Sequence, residues 1–259
     1  MKEELARAVA FERSVLERTA TRTEDFRWGR AYLNDRFPHS YYDNSLWVHR
    51  EGATADQLVA EADRLIGGAG LAHRELYVPD ERVGDALAPR FADLGWDRHQ
   101  HLYMGHHRAP EREPEPGLVE EAGWGEFRPA VEAQVRADPQ MATTEDAIRQ
   151  LVDRKDAARP ATRSRHFVAR VAGRIASFCD LYVDGATAQI EDVFTFEEFR
   201  GRGLATSVVL TALAVARAEG HDLVFLVADH DDWPKELYRK LGFDAIGRGW
   251  VFSRWPPRP

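Results

Sequence analysis

Between Phe194 and Thr206 the chain reads Phe-Thr-Phe-Glu-Glu-Phe-Arg-Gly-Arg-Gly-Leu-Ala-Thr. Two arginines and two glycines stand together between a strand-like apolar run and a run of small residues with helical character. This combination suits anion binding. The first amides of a helix lack intrahelical partners and carry partial positive charge. Gly201 and Gly203 let the backbone close on a ligand where a Cβ would block it, and Arg200 and Arg202 add full charges. The expected guest is a phosphate or pyrophosphate. A P-loop requires a Lys after the last glycine, and none follows Gly203; a dinucleotide fingerprint requires a third glycine, where this chain has Thr206.

The elements around this loop follow from periodicity and punctuation. The loop joins a strand over 188–196 to a helix over 204–219, nearly apolar all round and therefore buried against a sheet. Gly220 stops that helix, and 223–227 is a continuous apolar strand suited to a sheet centre. Upstream, the pattern predicts a strand at 118–122, helices over 126–137 and 144–156 with Thr143 or Thr144 as N-cap, a loop marked by Pro160 and Ser164, and strands over 166–171 and 174–183. Gly173 and Asp184-Gly185 turn the hairpins. In the first half, residues 3–24 read as an amphipathic helix with Leu5, Val9, Phe11, Val15 and Leu16 inward. An aromatic-rich stretch, 26–47, suggests a short sheet. A helix over 55–65, a strand over 75–78, a helix over 80–94 and a strand over 98–106 follow.

Size and composition set limits. The chain has 259 residues, 44% of them apolar and 30% charged, with a formal net charge of −8. The acidic balance argues against nucleic-acid binding, which needs a basic footprint. No run approaches the length of a membrane span, the N-terminus lacks a signal-peptide core, and one cysteine, Cys179, permits no internal disulfide; together these lead us to expect a cytoplasmic protein without a membrane partner. Cys179 beside Phe178 reads as a small core residue. His99 and His101 share a strand face, but a third ligand is not visible and no cysteine is at hand, so no metal is expected.

The loop contains Arg-x-x-Gly-x-Ala as Arg200, Gly203 and Ala205, and about forty residues on the chain reads Leu237-Tyr-Arg-Lys-Leu-Gly-Phe243. In this order, separated by a helix and an apolar strand, the two motifs resemble those of the GNAT family of acetyl-CoA-dependent N-acetyltransferases. The resemblance covers 118–253 well and 1–106 in outline. It implies an α/β fold (α+β mixed sheet), splayed between the strands at 188–196 and 223–227. Acetyl-CoA would be the co-substrate, with Val193, Phe194 and Thr195 pairing its pantetheine amides and the amides of Arg200, Gly201, Arg202, Gly203, Leu204, Ala205 and Thr206 holding the pyrophosphate. Tyr238 would give a proton to the departing sulfur. Glu191 and Asp192, on opposite faces of a regular strand, are the carboxylates beside the acetyl group, and Asp229, Asp231 and Asp232 crowd the next loop. Where relatives often carry Asn and Ala this chain has Asp231 and Pro234, which leaves side-chain contacts to CoA from that loop in question.

The two halves also resemble each other. Helix, glycine stop, strand, helix, Leu-Gly-aromatic and strand describe both 55–106 and 204–253, with Leu94-Gly95-Trp96 matching Leu241-Gly242-Phe243. The first copy carries Thr54–Asp56 where the second carries Gly201–Gly203, and Phe91 in place of Tyr238. The expectation is two GNAT-like units, each a twisted mixed sheet flanked by helices: a degenerate one over 1–106 and a catalytic one over 118–259, joined by a Pro-rich linker at 107–117. The partner would be a small-molecule or peptide amine, and a homodimer is one oligomeric option. Two other readings compete: a CoA-binding sensor or interaction protein of the same fold with little turnover, and an unrelated α/β binder of NAD or ATP.

Overall fold

The structure, a computed structural model, describes residues 3–115, 117–138 and 144–256. They fall into two compact units: residues up to 102, with 229–232 and the chain from 247 on, and residues 103–228 with 233–246.

The first unit opens with α1 (Glu3–Thr19), in which Leu5, Val9, Phe11, Val15 and Leu16 are all buried. The periodicity predicts this helix to residue 24, but it stops at Thr19, whose hydroxyl donates back to the Val15 carbonyl at 2.9 Å. A hairpin of β1 (Arg22–Phe26) and β2 (Gly29–Leu33) takes over. Gly29 is required by space: a Cβ there would lie 1.9 Å from the carbonyl oxygen of Trp47 on β3 (Ser45–Val48). Next come α2 (Ala55–Ala62), extended by one wide helical turn, β4 (Arg74–Val78), α3 (Glu81–Asp93) and the start of β5 (Asp97–His106). β1, β2 and β3 are antiparallel neighbours, and β3 and β4 run parallel. Beyond β4 the sheet gains the end of the chain's last strand, Trp250–Arg254, which pairs antiparallel with Arg74–Val78. Leu46, Val48, Leu76, Val78, Phe91 and Phe252 form the core beneath α2 and α3.

The second unit contains β6 (Val119–Ala122), α4 (Trp124–Ala137), α5 (Glu145–Thr162), β7 (Arg165–Val171), β8 (Arg174–Asp184), β9 (Thr187–Thr195), α6 (Leu204–Ala218), β10 (Leu223–Asp229), α7 (Pro234–Lys240) and the beginning of β11 (Phe243–Arg254). β6 to β9 form an antiparallel run, and β9 meets β10 in parallel. One sheet face packs on α4 and α5 through Phe127, Val131, Ile148, Val152, Val168 and Phe178. α6 packs on β8 and β9, where the Cys179 thiol donates to the Val208 carbonyl at 3.3 Å. Thr144 caps α5 by accepting from the Ala147 amide at 3.2 Å; Thr143 lies outside the described residues. α5 runs on to Thr162, through the Pro160 expected to end it. Pro160 lacks the N–H that would donate to the Asp156 carbonyl, so α5 completes its last turn at the cost of one hydrogen bond.

Both units are mixed sheets flanked by helices, and both place an antiparallel run, three strands in the first and four in the second, ahead of a helix and a parallel strand. The compact units do not follow one cut at 107–117. Residues 103–117 belong to the second unit, and the last strand crosses back to complete the first.

Candidate functional site

β9 and β10 separate early. Leu223, Val224 and Phe225 pair with Thr187, Ala188 and Gln189, and no further pairs join the two strands. The edge of β9 beyond Gln189 is therefore left without that neighbour. A cavity of about 650 Å³ opens there, lined by Val193, Phe194 and Thr195 of β9, Phe199 and the loop residues Arg200 to Thr206, and Trp233, Pro234, Leu237 and Tyr238 around α7. All ten residues expected to hold CoA thus meet around one space, together with Tyr238, which is buried. Sequence reasoning missed Phe199, Trp233 and Leu237; Trp233 carried a signal, being a large apolar side chain in a loop of aspartates, and it is 68% exposed.

The loop has the geometry of an anion cradle. Gly201 (φ 74°) and Gly203 (φ 77°) lie in the left-handed region. Within the protein a Cβ on either would meet nothing within 4 Å, so backbone conformation, not crowding by protein atoms, demands glycine here. Gly203 is the N-cap of α6 and supplies no side-chain cap. The opening amides of α6 are left for a ligand. The corresponding helix start in the first unit is closed: the Gln57 amide donates to the Thr54 hydroxyl at 3.3 Å, and the Gln57 side chain accepts from the Thr54 amide at 3.0 Å. This reciprocal cap consumes the donors that an anion would need. Arg200 donates to the Thr195 carbonyl at 3.4 Å and Arg202 to the Glu198 carbonyl at 3.3 Å, so both stay at the loop with exposed side chains.

The two carboxylates are placed differently from the regular-strand expectation. The β8–β9 register runs Phe178↔Phe194 and then Asp180↔Glu191, so Asp192 and Val193 together oppose the single residue Cys179. This is a β-bulge, with Asp192 at φ 52°. The extra residue breaks the alternation that would put Glu191 and Asp192 on opposite faces. Asp192 turns to the side of Asp180: Lys155 Nζ of α5 lies 2.6 Å from Asp192 Oδ2 and 2.8 Å from Asp180 Oδ2. Glu191, opposite Asp180 in register, accepts from Gln189 Nε2 at 2.6 Å. Neither carboxylate lines the cavity.

Lys155 sits in a buried polar network. Its side chain is 8% exposed, and Asp180 is fully buried. His166 Nδ1 lies 2.8 Å from Asp180 Oδ1, and the Tyr182 hydroxyl donates to Asp180 Oδ2 at 3.3 Å. Burial works against both charges, but Asp180 and Asp192 together raise the Lys155 pKa, and Lys155 and His166 hold that of Asp180 below the usual carboxylate value. With Asp180 ionised, and hence an acceptor only, His166 donates to it through Nδ1. Burial, then the charges of Asp180, Asp192 and Glu191, push the Tyr182 hydroxyl well up. Cys179 is likewise pushed up, by burial first, which makes it a poor nucleophile.

Asp231 does not line the cavity; its amide donates to Asp229 Oδ1 at 2.8 Å. Pro234 does line it, as the first residue of α7, where a missing N–H costs nothing. Among the described residues no group of three or more His, Cys, Asp or Glu could hold a metal, and no helix is long and apolar enough to cross a membrane. His99 and His101 lie with ring centroids 5.5 Å apart.

The family model described as Acetyltransferase (GNAT) family matches residues 130–243, the segment that carries the loop, β9, β10 and α7. An uncharacterized N-acetyltransferase of Methanocaldococcus jannaschii is 33% identical over 67 residues, which is 25% of this chain; the match spans only 30% of that relative's length. Among solved structures, a functionally unknown conserved protein from Staphylococcus epidermidis superposes with a TM-score of 0.70 at 15% identity, covering 90% of this chain and 93% of that one. A GCN5-related N-acetyltransferase from Kribbella flavida gives 0.62 at 19% identity over 97% and 96%. A tandem GNAT protein from the clavulanic acid biosynthesis pathway gives 0.56 at 16% identity over 96% and 89%. At these identities the structural likenesses establish the fold alone.

Proposed function

We propose that the second unit transfers an acetyl group from acetyl-CoA to a primary amine by direct attack of the amine on the thioester. The observation that carries this reading is the single cavity that combines an uncapped, glycine-turned helix start, a strand edge left by a departing neighbour, and a buried tyrosine. Each part answers one need. The opening amides of α6, with Arg200 and Arg202, offer donors and charge to a pyrophosphate. An antiparallel strand turns alternate backbone groups toward each neighbour. In β9 the side facing β8 is engaged, the Phe194 carbonyl also accepting from Ser177 Oγ at 2.8 Å. The side that β10 has left can pair with the amides of a pantetheine arm, as an added strand does.

A thioester is already activated, so the demand on the protein is proximity, charge stabilisation and proton management. A β9 amide facing the thioester oxygen would stabilise the charge that develops there, and Tyr238 would protonate the departing thiolate. Of the two carboxylates, neither of which lines the cavity, Asp192 is held by the Lys155 ammonium and Glu191 by the neutral Gln189 amide, so Glu191 is the better candidate to receive the amine proton. The test is release of CoA thiol from acetyl-CoA against a panel of primary amines, with Tyr238→Phe alongside. Amine-dependent release that collapses in the variant supports the reading. Tight CoA binding with no amine-dependent release from any class of amine would favour the sensor alternative, for which the Pro234 departure is the motivating feature.

A further inference from the structure

We infer that Lys155 is a positioning residue that holds the β9 bulge, and thereby aims the backbone of Val193 to Thr195 into the cavity; this rests on the acetyl-transfer reading above. Asp192 is the pivot. It occupies the left-handed region at φ 52°, a conformation that a non-glycine residue keeps only when its surroundings insist on it. The next residue, Val193, is the first to line the cavity.

What insists is visible. Lys155 Nζ reaches Asp192 at 2.6 Å from a buried position on α5. The same ammonium is fixed at 2.8 Å to Asp180, the β8 residue on the near side of the register shift. Asp180 is itself held by His166 of β7 and Tyr182 of β8. One cation therefore ties the bulged residue of β9 to the strand it bulges away from, and α5 to both. Phe194 follows from this clamp. Because the bulge inserts one residue, Phe194 falls on the same sheet face as Phe178 and packs in the core with it, with ring centroids 5.5 Å apart. Undoing the bulge would flip every side chain beyond it to the other face. Neither Lys155 nor Asp192 lines the cavity, so both act through the backbone they hold.

Glycine offers a clean test, because it adopts φ near 50° without a clamp. The variants are Lys155→Met, Asp192→Gly and the double substitution, all in the full-length chain. Hydrogen–deuterium exchange over 190–196 reads the bulge directly and needs no activity. Isothermal titration with CoA reads the loop, and thiol release reads kcat. In Lys155→Met we expect exchange over 190–196 to rise at least tenfold and kcat to fall at least tenfold, with CoA affinity falling by a smaller factor than kcat, because the phosphate loop is untouched and only the pairing of the strand edge is lost. In the double variant we expect exchange and kcat to recover to within about threefold of Asp192→Gly alone. A merely structural lysine would not be rescued by glycine at a different position. Unchanged exchange in folded Lys155→Met, or no recovery in the double variant, overturns the inference. If the wild type fails to bind CoA the functional reading falls instead, while the exchange result still decides whether Lys155 holds the bulge.

Discussion

Replacing Gly203 by Asp separates anion binding from folding, because the structure assigns the two effects opposite weights. Gly203 stands at φ 77° and caps α6 without a side-chain bond. A side chain in that conformation costs about 1–2 kcal/mol, and aspartate tolerates it better than most residues. Against this, a carboxylate beside the N-terminus of a helix gains about 0.3–1 kcal/mol from the dipole, and the variant's Cβ has open space around it. The ligand-free protein should therefore lose no more than about 1 kcal/mol, which moves the melting temperature by roughly 2–4 °C. Binding has no such compensation. A carboxylate about 5 Å from a bound phosphate charge opposes it by about 3 kcal/mol at an effective dielectric of 20 and by under 1 kcal/mol in bulk water. The loop is exposed, so the penalty falls between these limits, a loss of roughly 5- to 150-fold in CoA affinity. Isothermal titration in low and high salt measures it, and screening should shrink the difference. If the variant binds CoA within twofold of wild type while its melting temperature holds, the anion at this helix start is not part of the complex and the reasoning about the loop is wrong.

Three further outcomes follow from the geometry. Tyr238→Phe should leave CoA affinity within about threefold and lower kcat by roughly 10²-fold or more, the range for removing a positioned general acid, read by thiol release. In the first unit, burial lifts the pKa of Glu75 to about 7, against hydrogen bonds from Trp255 and Tyr77. The unfolded chain gives up this proton near 4.5 and the folded one near 7, so stability should fall as pH rises between those values, by up to about 3 kcal/mol, and level off above; Glu75→Gln should flatten that slope in urea titrations across pH. Finally, a fragment of 118–259 lacks the part of the second unit at 103–117 and carries Trp250–Arg254 without its ladder partner β4, so it should show little near-UV circular dichroism and aggregate where the full chain does not.

Much of the site could be read in the sequence because it is built from local chemistry. Arg200 to Thr206 owes its form to glycines at positive φ and to a helix start, both written in consecutive residues. Thr54 and Gln57 likewise show in sequence why the first unit's equivalent helix start is closed. The bulge at Asp192 was not legible: nothing in Ile190-Glu-Asp-Val193 departs from a regular strand, and the cause lies 37 residues away in sequence at Lys155. The exchange of the last strand escaped for a similar reason. Residues 243–254 have the pattern of any half-buried strand, and only the ladder to Arg74–Val78 reveals which unit they complete. The end of α1 at Thr19 was hidden because charged residues continue past it into β1, whose burial shows no inward face until Phe26.

Thermal unfolding of this chain with acetyl-CoA, NAD and ATP in parallel decides whether the second unit's cavity is an acetyl-CoA site. Ligand at a hundred times its dissociation constant adds about 2.7 kcal/mol of stability, or roughly 5–11 °C for a chain of this size class. Such a rise is expected with acetyl-CoA, with its loss in Gly203→Asp and no comparable rise with NAD or ATP. No shift at millimolar acetyl-CoA, or an equal shift with NAD, would contradict it.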